Sequence, residues 1–297
     1  MFNVCLHSLN KTKILSIMKS KIFKIALPIL FLGAILTLYS FKPDSKEFQG
    51  RAIYFAKSKM ELGRWGARMS EAQKKQVKAR LKNRLEKTYI LDFNKEASLF
   101  EEKQKLDAYS GATDSWGKNF ARGKQYKNVK DNKLVQSQEF YGKKFLVVDQ
   151  LEQINWQMVQ ETKKIGNYDC FKAVASVPTD NLKWYDFSWS ELRRQQEAEE
   201  NGEEKEEIVE MTTIEAWYTM QIPVRHGPAE FWGLPGLILE VSAGDTVMLC
   251  SEIQLNPEET VEIVAPDKGK EITKKAYKET IISKMTEMRN NMGRRRG

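Results

Sequence analysis

Acid–base and nucleophilic chemistry would have to rest on very few side chains in this chain. It has two histidines, His7 and His226, and three cysteines among 297 residues. A cysteine or serine nucleophile normally needs a histidine base, and Cys170 with His226 is a conceivable pair. Cys170 stands among apolar neighbours in a strand-like segment, with no local sign of thiolate activation. We therefore predict no catalytic residue.

Metal and cofactor sites find equally little support in the sequence. One histidine and two distant cysteines follow the N-terminal apolar run, and their spacing is not typical of zinc ligation. The glycine patterns that bind nucleotide phosphates are missing, so we predict no metal and no cofactor. A pair of carboxylates like that of glycosidases stays open, because aspartate and glutamate occur throughout the chain. An envelope hydrolase using unidentified carboxylates is therefore the alternative function.

The stretch from 216 to 240 offers shape instead of reactive groups. Two apolar strand-like runs flank a loop that holds three prolines and three glycines. We expect Leu234–Leu237 to form a type II turn, because Pro235 presets φ and Gly236 accepts a positive φ. The loop is predicted to lie at the rim of a sheet, as a binding surface or as a purely structural turn. Its residues of interest are Trp217, Pro223, Gly227, Pro228, Trp232, Gly233, Leu234, Pro235, Gly236, Leu237 and Ile238.

The same stretch carries a family resemblance. The run Gly233–Ile238 spells the motif of the GLPGLI family, exported proteins of Bacteroidetes-type bacteria, and the chain resembles that family across roughly 156–241. The resemblance implies an envelope or secreted location and no assigned reaction. It rests also on Trp156, Glu161–Ile165, Tyr168–Ala173, Ala216–Thr219, Ile222-Pro223 and Gly227-Pro228.

The beginning of the chain predicts export. Lys19, Lys21 and Lys24 precede an apolar run over Ile25–Phe41, the form of a secretory signal. Cleavage near Ser40 and retention as an N-terminal anchor both stay open. Export argues against nucleic acid as a partner, although the net charge of +8 would suit it. That charge is compatible with contact to an anionic membrane surface or with a merely soluble basic protein.

Two cysteines belong to the exported part, and their pairing stays open. Cys170 and Cys250 lie in strand-like segments, and an oxidising compartment would permit a disulfide if adjacent strands bring them together. The other interpretation is two separate buried thiols.

The remaining pattern predicts an α+β fold, a large curved antiparallel sheet with a basic N-terminal helix and a C-terminal helix packed on it. Short strand-like runs recur about every ten residues, without the helical crossovers that parallel strands need. The basic N-terminal helix is predicted over Ser70–Lys87, which has a narrow apolar stripe and an N-cap at Ser70. About 273–291 forms the last helix, which Gly293 should end. Further strands are expected at Gly50–Lys57, Thr88–Asn94, Ala97–Glu102, Gln125–Lys130, Lys133–Tyr141, Lys144–Gln150, Trp156–Gln160, Tyr168–Pro178, Met211–Gln221, Leu237–Ala243, Thr246–Leu255 and Glu259–Ala265, with a turn at Pro266–Lys270.

These elements make one domain over 42–292, after a signal peptide or anchor at 1–41 and before a basic tail at 293–297. Within it, 191–210 is a glutamate-rich stretch that predicts a mobile insertion. The aromatic residues Trp184, Tyr185, Phe187 and Trp189 are expected to close one end of the core, and stacking on a sugar or peptide ligand is the alternative. We expect an exported, non-enzymatic envelope protein that binds a peptide, a lipid or an outer-membrane protein through its sheet and loop.

Overall fold

The structure is a computed structural model that describes residues 47–59, 66–103, 120–189, 192–193, 197, 209–259 and 261–294. The chain divides into two units, Met1–Lys46 and Glu47–Gly297, and every described residue belongs to the second. The predicted leader and residues 295–297 of the predicted basic tail 293–297 lie outside the described residues, as does most of the acidic stretch 191–210.

An open sheet dominates the described residues, which contribute twelve strands to it. All neighbouring strands pair antiparallel except β12, which pairs parallel with β6. The order across the sheet is β12-β6-β5-β4-β3-β2-β1-β11-β10-β9-β8-β7. The strands are β1 Gln49–Ser58, β2 Glu86–Asn94, β3 Ala97–Glu102, β4 Gln125–Asn128, β5 Lys133–Phe140, β6 Lys143–Gln150, β7 Gln157–Ile165, β8 Tyr168–Pro178, β9 Met211–Thr219, β10 Leu237–Ala243, β11 Thr246–Leu255 and β12 Lys270–Ile272.

A local sequence signal sets the boundary between β2 and β3. In the β2–β3 hairpin, the side-chain oxygen of Asn94 accepts hydrogen bonds from the backbone of Glu96 and Ala97 at 2.9 and 2.7 Å. An asparagine that caps its own turn in this way fixes where one strand ends and the next begins. The strands predicted at Thr88–Asn94 and Ala97–Glu102 are confirmed, with β2 beginning two residues earlier at Glu86.

Three helices lie among the described residues, namely α1 Glu71–Leu85, α2 Thr179–Lys183 and α3 Lys274–Arg294. The predicted N-cap of α1 is confirmed, because Ser70 and Gln73 exchange the two hydrogen bonds of a capping box. The predicted α+β class is confirmed as well. In the part of the chain that the structure describes, none of the helices is long and apolar enough to cross a membrane.

The core has a large cluster under the central strands and a smaller one under α3. Tyr277, Ile281 and Met285 of α3 are buried against Phe145 and Val147 of β6. The aromatic residues expected to close one end of the core join this cluster, with Trp184 buried and Tyr185, Phe187 and Trp189 packed around it.

Three predictions near the C-terminus are wrong. The described residues of Glu259–Ala265 form no strand; instead Val261 is buried and its N–H donates to the side chain of Gln49 at 3.0 Å, so the segment is tied to the start of β1 without a strand partner. β12 lies where the end of a turn was expected. Gly293 does not end α3, which continues to Arg294.

Candidate functional site

The loop between β9 and β10 packs mostly into the core. Ile222, Val224, Phe231 and Leu234 all belong to the main hydrophobic cluster, which draws the loop onto the sheet. Of the predicted binding residues, only Pro223 and Pro235 are exposed and Gly233 is half-buried. The buried ones are Trp217, Gly227, Pro228, Trp232, Leu234, Gly236, Leu237 and Ile238.

The predicted type II turn at Leu234–Leu237 is wrong. Gly236 does not adopt a positive φ; in this loop Gly233 and Ala229 do, at 98° and 52°. Glycine is required at 236 for another reason, since a Cβ there would lie 2.0 Å from the carbonyl oxygen of Thr219. The close approach of β9, rather than backbone handedness, excludes larger residues.

A buried lysine holds the backbone of this loop. Lys127 of β4 is fully buried, and its ammonium donates to the carbonyls of Gly227, Ala229 and Phe231 at 2.7, 2.6 and 3.1 Å. All three N–H donors of the ammonium thereby bind backbone carbonyls of the loop. Burial lowers the pKa of Lys127 to about 7, an effect that nearby Glu230 opposes. An ammonium enclosed by carbonyls is unavailable as a nucleophile, so its role is to fix the loop.

A second clamp is an ion pair at the tip of the loop. Arg122 donates to the carboxylate of Glu230, with side chains only 7% and 10% exposed. Tyr185 accepts a further hydrogen bond from Arg122 at 2.8 Å, and Gln125 donates to the other oxygen of Glu230 at 3.1 Å. The carboxylate of Glu230 also raises the pKa of Arg122, although desolvation opposes it. Glu230 is thus committed to this network.

His226 lies in the same interior and is equally unsuited to acid–base work. It is fully buried, and its ring packs at 6.4 Å from that of Phe93. Neither ring nitrogen has a hydrogen bond of normal geometry within the described residues, although the backbone of Asn94 lies near enough to favour the charged ring. Desolvation, assisted by the charge of Lys127, lowers the pKa of His226 to about 3. The imidazole is therefore neutral at physiological pH.

The cysteine pairing that the sequence left open is not formed. Cys170 and Cys250 are free and buried. They lie on β8 and β11, and β9 and β10 run between them. Burial raises the pKa of Cys170 to about 11, which leaves the thiol protonated and far from the state of a nucleophile.

Nor do the buried acids resemble a hydrolytic pair. Asp92 accepts two hydrogen bonds from Arg51, at 2.6 and 2.9 Å, and Glu230 is bound by Arg122. Each of these carboxylates is engaged by its own arginine, so the two do not face one another across a space for a substrate as a glycosidase pair does. Within the described ranges, no group of three or more His, Cys, Asp or Glu side chains is placed to hold a metal ion.

The outer edge of the sheet next to this loop is open. β7 is the last strand of the sheet order, and no other strand of the described residues pairs with its outer side. Six of its nine residues are exposed, and the strand bends at a register shift between Val159 and Thr162. Immediately before β7, Trp156 donates to the carbonyl of Trp232 at 2.8 Å, which ties the edge to the loop.

The contacts that hold the loop, and the position of β7 at the edge of the sheet, could not be predicted from the sequence. Gln125 and Lys127 alternate along β4 as buried residues do, but their polar types suggest an exposed strand face. Their partners lie about a hundred residues away, and the end position of β7 depends on the order of strands. The alternation of two polar residues inside a strand was the only local signal.

Comparison with known proteins finds a likeness of unknown function in the region that contains this edge. No curated protein matches the chain. Two solved structures of PNGF-II, in C2 and P21 space groups, are 16% identical to it with TM-scores of 0.47 and 0.44. The matches cover 79% and 78% of this chain but only 32% and 33% of those chains, so this chain spans about a third of their length. Residues 156–240, from the start of the β7 edge into β10, match the family model described as "Protein of unknown function (Porph_ging)", a domain of Bacteroidetes-type proteins.

Proposed function

We propose that the protein is exported to the cell envelope, where the free edge of β7 binds an extended segment of a partner protein without catalysing a reaction. The observation that carries this proposal is the position of β7, a nine-residue strand at the end of the sheet. An unpaired strand edge presents rows of N–H and C=O groups, onto which a peptide can add as a further strand.

The hairpin at the end of β7 identifies the backbone groups that face outward. Gly166, with φ of 57°, and Asn167 form a two-residue turn that closes on the pair Ile165 and Tyr168. Such a turn closes on a hydrogen-bonded pair, and hydrogen-bonded and non-bonded pairs then alternate along the strands. Lys164, opposite Asp169, is therefore in a non-bonded pair.

A side-chain contact supports this alternation. The N–H of Asp169 donates to the side chain of Gln221 at 2.8 Å instead of to β7. The pair Lys164–Asp169 is thus non-bonded, and by alternation so is Thr162–Phe171. Lys164 and Thr162 consequently direct their backbone groups toward the open edge.

Exposed side chains on β7 suit a peptide of mixed character. The side chain of Lys164 is 74% exposed, and Met158 is 57% exposed. A partner strand with an acidic residue near Lys164 and an apolar residue near Met158 would complement both. Main-chain pairing supplies most of the affinity in this kind of recognition, and side-chain pockets supply the selectivity.

The loop between β9 and β10, in which the run Gly233–Ile238 begins, then supports the β7 edge from inside the protein. Its carbonyls are held by Lys127 and its acidic side chain by Arg122, while Trp156 and Trp232 join it to the start of β7. We propose that the GLPGLI-like run Gly233–Ile238 is retained for this packing, and not for direct contact with the partner.

The compartment follows from the leader-like sequence at 1–41. We propose that it directs the chain to the periplasm or the outer membrane, with or without cleavage. Fractionation of the producing cells, with the apparent mass of the envelope form, checks this: recovery of the chain in the cytoplasm alone would refute export.

The edge is tested by removing N–H groups that point outward. Lys164→Pro and Thr162→Pro each delete one donor, and proline is tolerated on an edge strand where the N–H faces solvent. Each should weaken partner binding about fivefold, the equivalent of one hydrogen bond of about 1 kcal/mol. Lys164→Thr and Thr162→Val keep the N–H groups and are the matched controls.

Partner capture from envelope extract, after cross-linking and at graded protein concentrations, measures the effect. Each proline variant should shift half-maximal capture to a higher concentration than its matched control, which has also lost the native side chain but keeps the N–H group. Equal capture by wild type and Lys164→Pro, at unchanged thermal stability, would show that the edge does not bind the partner.

A further inference from the structure

A second surface, remote in sequence from β7, is the outer face of α1. The helix carries six lysines and arginines and one glutamate over Glu71–Leu85. From Ala72 to Leu85 it has no acidic residue at all. The strip of positive charge is therefore unbroken along about 20 Å of helix, at 1.5 Å per residue.

The basic side chains on this helix are exposed and largely without ionic partners. Lys75, Lys78 and Arg80 have no salt bridge within the described residues, and all three are exposed. Lys82 meets Glu86 only at 3.8 Å, with its side chain 68% exposed. Lys75, Lys78 and Lys82, at spacings of three and four, share one side of the helix.

Packing on the sheet buries the apolar side chains of α1 only in part. Its apolar positions Val77, Leu81 and Leu85 are only half-buried. The capping box at Ser70 and a composition of strong helix formers stabilise the helix itself. A helix formed mainly by local interactions, with cations on the outside, is a platform for an anionic surface.

We propose that α1 is a docking site for an anionic phospholipid bilayer, contacted through Lys75, Lys78 and Lys82. A bilayer surface is a continuous plane of phosphates, and each basic residue near it contributes favourably to binding. The weak apolar stripe means that the helix rests on the headgroups instead of inserting into the acyl region. This surface is independent of the peptide-binding proposal, which concerns β7.

Lysine footprinting of the full chain tests the contact. Acetylation is quantified by mass spectrometry with phosphatidylglycerol-containing vesicles and with pure phosphatidylcholine vesicles. The leader-like segment could attach the chain to either vesicle, so the readout is local to each lysine. We expect labelling of Lys75, Lys78 and Lys82 to fall at least fivefold on the anionic vesicles only, and to recover in 0.5 M salt. Exposed lysines on other elements, Lys95, Lys143 and Lys144, are the internal controls.

A charge-neutral variant gives the second measurement. Lys75→Gln, Lys78→Gln and Lys82→Gln together should weaken the preference for anionic over neutral vesicles about a hundredfold, at about fivefold per charge. The triple Lys95→Gln, Lys143→Gln, Lys144→Gln should change it less than twofold. Glutamine keeps the helix propensity, so the circular dichroism of both variants should match wild type.

Three outcomes would overturn the proposal. One is equal labelling of the α1 lysines on both kinds of vesicle, and another is equal protection of every exposed lysine. The third is binding of a short DNA duplex as tight as that of anionic vesicles at the same salt, which would make the helix a general polyanion contact.

Discussion

Glu230→Gln tests whether the ion pair at the loop tip is a principal stabilising contact. The substitution keeps the shape of the side chain and removes the charge that Arg122 faces in the interior. Arg122 would remain ionised, since the carboxylate raises a pKa that is already above the physiological range. A buried cation would then be left without its counterion.

The magnitude follows from the burial of both partners. With side chains 7% and 10% exposed, solvent cannot compensate for the lost partner. Breaking one side of such a buried pair costs about 3–5 kcal/mol. At a urea dependence of about 3 kcal/mol per molar, the unfolding midpoint should fall by about 1–1.7 M.

Urea unfolding at pH 7 measures this, with Glu240→Gln as the matched control. Glu240 accepts from Lys163 at 2.7 Å, but its side chain is 24% exposed and that of Lys163 34%. A pair so accessible to water contributes about 0.2–1 kcal/mol. The control should therefore shift the midpoint by a few tenths of a molar.

A double-mutant cycle with Arg122→Met separates the pair from other effects. If the two side chains stabilise each other, the double variant should be less destabilised than the sum of the singles by about 2 kcal/mol or more. Additive effects, or a Glu230→Gln cost no larger than that of Glu240→Gln, would refute the reasoning that the loop is clamped by this contact.

Three further predictions concern the same interior. Gly236→Ala should destabilise by about 3 kcal/mol in thermal melts, because its Cβ would meet the backbone oxygen of Thr219 at 2.0 Å; Gly166→Ala, with open space but φ of 57°, should cost about 1 kcal/mol. The folded-state pKa of His226, about 3, lies below its ordinary 6.5, so stability falls as pH drops from 6.5 to 3. In acid-unfolding curves, His226→Leu should reduce the fall in unfolding free energy between pH 6.5 and pH 3 by about 5 kcal/mol. Burial lowers the pKa of Lys127 from 10.5 to about 7. The free energy of unfolding of wild type should therefore rise by about 5 kcal/mol relative to that of Lys127→Met as the pH is raised from 7 to 10.5. A stability difference between the two proteins that does not change with pH would show that the ammonium keeps its ordinary pKa.

Elements defined by neighbouring residues could be predicted from the sequence. The β2–β3 hairpin is set by Asn94, and the start of α1 is set by a capping box between Ser70 and Gln73. β8 was predicted with the bounds that the structure has, Tyr168–Pro178. In each case the determining contacts lie within a few residues, or the alternation of apolar residues is strong.

Contacts between distant segments could not be predicted. Lys127 reads as a surface residue until the carbonyls of Gly227, Ala229 and Phe231 are brought to it from about a hundred positions away. Gly236 illustrates the same limit, because glycine serves positive φ and close approach alike. Only the proximity of Thr219 decides between them.

Two proposals concern this region: the loop between β9 and β10 supports the edge, and the edge of β7 binds the partner. Substitutions in the loop and on the edge test them separately. Glu230 lies in the interior, and its substitution should lower stability while partner capture by the folded fraction stays unchanged. Lys164 lies on the open edge, and Lys164→Pro should lower capture while stability stays near that of wild type. A loop that contacts the partner directly would instead make both substitutions lower capture. The structure favours the first pattern because the loop carbonyls already have donors inside the protein, whereas the edge of β7 has no strand beside it among the described residues.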